Sequence, residues 1–316
     1  MKTRDHKQAA EHKVKTEGSG FNNPQGGQTT DIHQAITDQI LAAMEQARST
    51  GRRLWDSQPS LPMNLATGKP YQGINVLILW SAGLSHGYVS PYWLTYKQAA
   101  DMGGQVKKGE RGTRCVFYKP WENTETNKDT GETETTRGAI LKTFIAFNLD
   151  QIDGIEAPAT KERPAFEVLE DAERIMAASP APIKIGGTQA CYIPGRDEIH
   201  LPAREAFINP EAFYSTAMHE MTHSTGAKHR LDRDFSGRFG TEAYAFEELI
   251  AEMGSAFLNA DLGIIGSTLQ DHADYLTNWI AILKNDKKAI MTAAAQASKA
   301  HGFIKGLLAD RQEAAA

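Results

Sequence analysis

The stretch His219-Glu220-Met221-Thr222-His223 constrains this chain more than any other. The eight residues before it, Glu211 to Met218, hold no Gly or Pro and suit a helix. On a helix, positions i and i+4 lie one above the other on the same face. His219 and His223 can therefore grip one metal ion from one side. Glu220 lies beside the first imidazole, within reach of a water on that ion. Two imidazoles, an open coordination position and a carboxylate base make up the donor set of a hydrolytic metal site. Three fixed residues in five also recur by chance, as on an exposed helix carrying two surface histidines. A third protein donor is what decides between the two readings.

A donor is available downstream. Thr241 to Leu258 reads as a second helix, with Leu249, Ile250, Met253 and Phe257 as its apolar stripe. Glu248 and Glu252 share an adjoining face with Ser255, at i, i+4 and i+7. Glu248 follows His223 by 25 residues, a separation comparable to that in zincins whose third ligand is a glutamate. The expected ligands of one divalent ion, zinc before manganese, are His219, His223 and Glu248. Glu220 is the expected catalytic base, and Glu252 is expected to hold a ligand imidazole in its tautomer. Glu247 and Glu252 stay open as alternative ligands, and His229 is a weaker one. A solvated acidic face is the plainer reading of the three glutamates.

Composition limits the setting. A chain of 316 residues is long enough for two domains. Its net charge of −5 gives no global basic signal for nucleic acid. Cys115 and Cys191 are the only cysteines, too few for a disulfide framework and in keeping with a reducing cytoplasm. No apolar run approaches a membrane span, and the chain is polar from residue 1, so neither membrane insertion nor secretion is expected.

Four segments are expected. Residues 1–30 form a polar, disordered tail. Residues 31–152 form an α+β domain, 153–164 a linker and 165–316 a second domain. A helix runs from Asp31, its cap, to about Ser49, with Ile32, Ile36, Ile40 and Met44 on one face. Another starts after Gly73 in an apolar run. Cys115 to Trp121 reads as a strand, Glu122 to Arg137 as a long polar hairpin tip, and Ala139 to Asn148 as the return strand. In the second domain come a helix from about Phe166 to Ala178 and short strands at Ile183–Ile185, Ala190–Ile193 and Glu198–Leu201. Such a small edge sheet can pair an extended peptide. The helix with the metal pattern follows. The loop Gly226–Gly240 is a candidate lid or substrate contact, and a helical tail is expected from about Asp271 to Ala309. Tyr192, Tyr214 and His229 are candidates for stabilising an oxyanion.

One stretch of the first domain carries a separate chemistry. From Trp93 to Trp121 there are six Lys or Arg against two acids. Trp93, Tyr96, Tyr118 and Trp121 interleave with Lys97, Lys107, Lys108, Arg111 and Arg114. Cations that neutralise phosphates, with rings on which bases stack, are what single-stranded nucleic acid binding requires. Core aromatics with a solvated cationic rim are the plainer alternative.

Several stretches resemble the ArdC-type antirestriction proteins, a group that includes plasmid TraC primase-like proteins. They are Asn64–Asn75, Trp93–Ala99, Gly104–Glu110, Phe147–Gln151, His219–His223 and Glu247–Glu252. The resemblance spans nearly all of residues 31–300. It implies an α+β fold with an N-terminal single-stranded-DNA-binding domain and a C-terminal zincin-like metallopeptidase domain. It further implies a role in shielding incoming conjugative plasmid DNA from restriction. The partners it implies are single-stranded DNA and a restriction-system or other DNA-bound protein. A DNA-cleaving metal site fits less well, because Mg²⁺ prefers a carboxylate-rich pocket.

Overall fold

Asp31 starts the first helix. Its Oδ1 accepts from the backbone N–H of His33 at 2.9 Å and of Gln34 at 3.4 Å, which satisfies two donors at the exposed end of α1 (Ile32–Thr50). The computed structural model describes residues 31–50, 60–126, 133–158, 165–233, 241–264 and 273–315. The expected tail before residue 31 and the second half of the expected linker, residues 159–164, lie outside them. The chain divides into a hairpin arm, Arg114–Ile145, and a body formed by Thr30–Thr113 with Ala146–Ala316. Helices alternate with short strands in separate sheets, an α+β architecture.

In the body, β1 (Met63–Asn64) pairs antiparallel with β2 (Lys69–Pro70) and parallel with β3 (Tyr92–Leu94). Gly73, at φ 59°, releases the chain into α2 (Ile74–His86), whose residues Val76 to Ala82 are all buried. Thr95 and Gln98 form a capping box at α3 (Tyr96–Asp101). β4 (Gln105–Val106) pairs with β7 (Ile152–Asp153). The arm consists of β5 (Thr113–Thr126) and β6 (Thr133–Asn148), and the last residues of β6 pair with β3 in the body. The strands run further than expected: the return strand begins at Thr133 rather than Ala139. Thr124, Thr126, Thr133, Thr135 and Thr136 are β-branched, so this polar stretch still favours extended backbone.

The second half of the body follows α4 (Ala165–Ala177) with a three-stranded sheet, ordered β8 (Ile183–Gly187), β10 (Glu198–Pro202), β9 (Cys191–Ile193). β10 is parallel to β8 and antiparallel to β9, which is an edge. Two long helices come next, α5 (Pro210–Thr225) and α6 (Glu242–Leu262). The expected single helical tail is two helices, α7 (Ala273–Asn285) and α8 (Ala289–Ala315). Asp286 makes the break: its Oδ1 accepts from the N–H of Lys288 at 2.8 Å and starts α8. α6 packs against α5, α7 and α8, while α1 packs against α2 and α7. Gly73 N–H donates to Ser298 Oγ at 2.7 Å, and Thr37 Oγ1 donates to the Lys287 carbonyl at 2.8 Å. Residues from both ends of the chain thus share one body. None of the helices among the described residues is long and apolar enough to cross a membrane.

Candidate metal centre

α5 is a buried helix, and this is what makes its histidines unusual. Asn209 caps it by accepting from the N–H of Ala212 at 2.8 Å, and Pro210 sits in its first turn. Phe213, Tyr214, Ala217, Met218 and Met221 anchor it in a core shared with Ile199 and Leu201 of β10. The opposite side meets α6. Thr222 and Gly254 mark the crossing: a Cβ on Gly254 would lie 2.4 Å from Thr222 Cγ2, so only glycine permits this approach. The expected stripe of Leu249, Ile250, Met253 and Phe257 is wholly buried.

The close crossing brings three donors together. His219 Nε2 and His223 Nε2 are 3.2 Å apart, and the two oxygens of Glu248 lie 3.4 Å from the first and 3.6 Å from the second. Donors bonded at about 2.1 Å to one tetrahedral ion are separated by about 3.4 Å. His219, His223 and Glu248 therefore fit a single divalent ion. Each imidazole has a carboxylate on its Nδ1 side. His219 Nδ1 lies 3.5 Å from Glu252 Oε2, and His223 Nδ1 lies 3.2 Å from Glu247 Oε1. Carboxylates at the Nδ1 atoms leave both Nε2 atoms facing inward. Glu247 thus lies against His223 Nδ1, and the donors that converge among the described residues are His219, His223 and Glu248.

Burial and charge compete strongly here. Burial pushes the His223 imidazole down, but Glu247 and Glu248 outweigh it and raise it to about 10. Burial pushes the Glu248 carboxyl up, and the two histidines overcome this and hold it far below the usual range. Glu247 is likewise pushed up by burial and brought below its usual value by His223 and Arg233. A proton on His223 balances the carboxylates where a cation would otherwise do so, and metal binding must displace it.

Glu220 is 6% exposed and has no hydrogen bond or ion pair among the described residues. Its charge adds to the effect of burial in raising the Cys191 thiol, which puts Glu220 on the side of α5 near the edge strand β9. The expected oxyanion groups are engaged elsewhere. Tyr192 donates to Asp197 Oδ1 at 2.8 Å, Tyr214 donates to Glu173 Oε1 at 2.7 Å, and His229 lies 3.3 Å from Asp197. His229 takes no part in the cluster.

The sequence reading missed Arg233. Its guanidinium bonds Glu247 through two nitrogens, at 2.9 and 2.8 Å, and reaches the carbonyl of Thr222 and the hydroxyl of Thr225, each at 2.8 Å. Only its place in a charged loop marked it. Gly254 was missed too, and a glycine inside a helix pattern beside the acids was its signal.

The basic and aromatic residues are placed less uniformly. Trp93 is 2% exposed and belongs to the core, so it is no open stacking surface, contrary to its place among the expected nucleic-acid contacts. Tyr96 is 54% exposed, and its hydroxyl accepts from Gln105 Nε2 at 3.2 Å. Lys97 pairs with Asp101 at 2.8 Å, and Lys107 donates to the Asp150 carbonyl at 2.8 Å. Lys108 and Arg111 are exposed, with no ion pair among the described residues. Arg114, Tyr118 and Trp121 lie on the arm. Arg114 and Tyr118 are exposed there, and Trp121 is half-buried over Gly138, where a Cβ would lie 2.7 Å from its ring.

A buried His–His–Glu cluster on two crossed helices, beside a short edge sheet and an unengaged glutamate, defines a zincin-like metallopeptidase domain. The family model for that domain matches residues 170–296. The model for the N-terminal domain of the anti-restriction factor ArdC matches residues 30–147. The chain belongs to the ArdC family of antirestriction proteins. It is 37% identical to the ArdC protein of plasmid R388 in its metal-free crystal structure, covering 89% of this chain and 98% of that one, with a TM-score of 0.72. A second crystal structure of that ArdC is Mn(II)-bound and matches with the same TM-score at 36% identity. An uncharacterised protein of Sinorhizobium fredii, y4eC, is 38% identical over 90% of this chain and 94% of its own length. DNA primase TraC of Escherichia coli is 37% identical over 86% of this chain, which spans only 27% of TraC.

Proposed function

We propose that the protein is an antirestriction factor that binds single-stranded DNA and carries a metal-dependent peptidase site. In this reading it works in the cytoplasm and protects incoming conjugative plasmid DNA from host restriction. Residues 31–152 serve DNA binding, residues 165–316 carry the peptidase, and the substrate is a restriction-system or other DNA-bound protein. The observation that carries the peptidase reading is the convergence of His219 Nε2, His223 Nε2 and Glu248, with Glu220 left unengaged beside them.

Zinc suits two imidazoles and a carboxylate, and Mn(II) is the alternative. The ion would supply Lewis acidity, polarising a carbonyl and acidifying water. Glu220 takes the proton of the attacking water on its carboxylate and returns it to the departing amide nitrogen. It is buried and has no hydrogen bond or ion pair among the described residues, which keeps it available for both transfers. β9 stands at the edge of its sheet, the place where an extended peptide adds as a further strand. Glu252 and Glu247 hold the imidazoles in place and take no proton from substrate.

A second reading is a DNA-binding protein whose metal only joins α5 to α6. Structural zinc usually has four protein ligands, and three donors converge among the described residues, which favours the hydrolytic reading. The test is conjugation into a restricting recipient, comparing wild type with Glu220→Ala. Protection should vanish while the purified variant still binds metal and single-stranded DNA. Unchanged protection would leave DNA binding as the function and the metal as structural.

A further inference from the structure

We infer that Arg233 is a positioning residue for the metal centre, acting through Glu247 on His223. The inference rests on the metal reading above and extends it to a residue outside the ligand set and its carboxylate supports.

The geometry is specific. Arg233 is 4% exposed as a side chain and follows α5 in the chain. Its Nε and Nη2 grip both oxygens of Glu247 on α6, at 2.9 and 2.8 Å. Nη2 also donates to the Thr222 carbonyl at 2.8 Å and, more loosely, to that of His223 at 3.4 Å. Nη1 donates to Thr225 Oγ1 at 2.8 Å. The carbonyls belong to the last turn of α5, where intrahelical partners run out and a cation is favoured. One fork thus ties the end of the helix that carries both histidines to the helix that carries Glu248.

The two histidines are therefore held differently. Glu252 stands behind His219 at 3.5 Å, the longer of the two contacts. Glu247 has both oxygens fixed by a planar guanidinium before it meets His223 at 3.2 Å. A bidentate Arg–carboxylate pair sets direction as well as charge. Arg233 thereby fixes the Glu247 oxygen that aims the His223 ring, and it offsets one of four buried acids, Glu220, Glu247, Glu248 and Glu252. Lysine keeps the charge but loses the fork.

The test compares full-length wild type, Arg233→Gln and Arg233→Lys. Zinc affinity is measured by competition with a chromophoric chelator, and the ligand field by the visible spectrum of the Co²⁺-loaded protein. Melting temperature of the metal-free forms serves as the control for folding. Loss of a supporting partner typically weakens metal binding about 10- to 100-fold. Arg233→Gln should fall in that range with an altered Co²⁺ spectrum, and Arg233→Lys should recover only part of the loss. In Glu247→Gln the further effect of Arg233→Gln should shrink, because the two act in series. Zinc affinity within about threefold of wild type with an unchanged Co²⁺ spectrum would overturn the inference, whatever the melting temperature does. If Arg233→Gln does not fold, Arg233→Lys decides by the same two readings. Absence of metal binding in the wild type would instead sink the metal reading itself.

Discussion

The metal cluster and the basic stretch from Trp93 to Trp121 place their polar groups in opposite ways. His219, His223, Glu247, Glu248 and Glu252 lie inside the body, each fixed by at least one other member. The candidate DNA contacts are mostly exposed, and several are already engaged, as Lys97 with Asp101 and Lys107 with Asp150. Burying five ionisable side chains is costly unless they pair or bind a cation. An interior cluster of this kind therefore points to a specific ligand. Exposed cations carry no such cost, so their number says little until the backbone arranges them.

The sharpest contrast comes from deleting a ligand. His223→Ala or Glu248→Ala should reduce bound metal from about one equivalent to background by elemental analysis after gel filtration. Next is Glu220→Gln, which should lower peptide hydrolysis by about 10²–10⁴ while leaving zinc affinity near that of wild type. A parallel loss of metal would show that Glu220 helps hold the ion, against the role given to it.

Packing comes third. Gly254→Ala gains about 1 kcal/mol of helix propensity but drives a methyl to 2.4 Å from Thr222 Cγ2. Overpacking of this kind costs about 1–3 kcal/mol. Net destabilisation in chemical denaturation, together with weaker zinc binding, is expected as α5 backs away from α6. A stabilised variant would mean that the two helices cross with room to spare.

A trio of charged residues on α6 and α8 gives the pH dependence. Burial pushes Asp261 up, but His301 and Lys305 outweigh it and hold the carboxyl at about 2. A depressed carboxyl stabilises the fold above its unfolded value near 4, and that stability is lost as pH falls towards 2. Asp261→Asn should cost on the order of 1–2 kcal/mol at pH 7, with the difference from wild type closing as the pH drops from about 4 to 2. A constant difference across that range would exclude the charge as its source.

The smallest effects belong to the basic stretch. Lys97 is already paired, so Lys97→Ala should change single-stranded DNA affinity less than Lys108→Ala or Arg114→Ala. Removing a cation that neutralises a phosphate should flatten the salt dependence by about 0.7 in log–log slope. Equal slopes for all three variants would remove the distinction drawn between engaged and open cations.

Why one region was readable and the other less so follows from spacing. His219 and His223 are one helical turn apart, so local geometry alone puts them on one face, and Glu248 and Glu252 repeat that arrangement. The short strands and the cap at Asp31 are also local. The Arg233–Glu247 fork joins residues brought together by the crossing of α5 and α6, which no periodicity encodes. Trp93 fell to the core because β3 is held between β1 and β6, a tertiary fact that its neighbours in sequence do not carry. The break at Asp286 was local but lay within an otherwise continuous helical pattern.

Anomalous diffraction from crystals of the zinc-loaded protein tests the central claim most directly. The expected result is one ion at about 2.0–2.2 Å from His219 Nε2, His223 Nε2 and a Glu248 oxygen, with Glu247 still on Arg233. An ion bound through Glu247, or bound away from these helices, would contradict it.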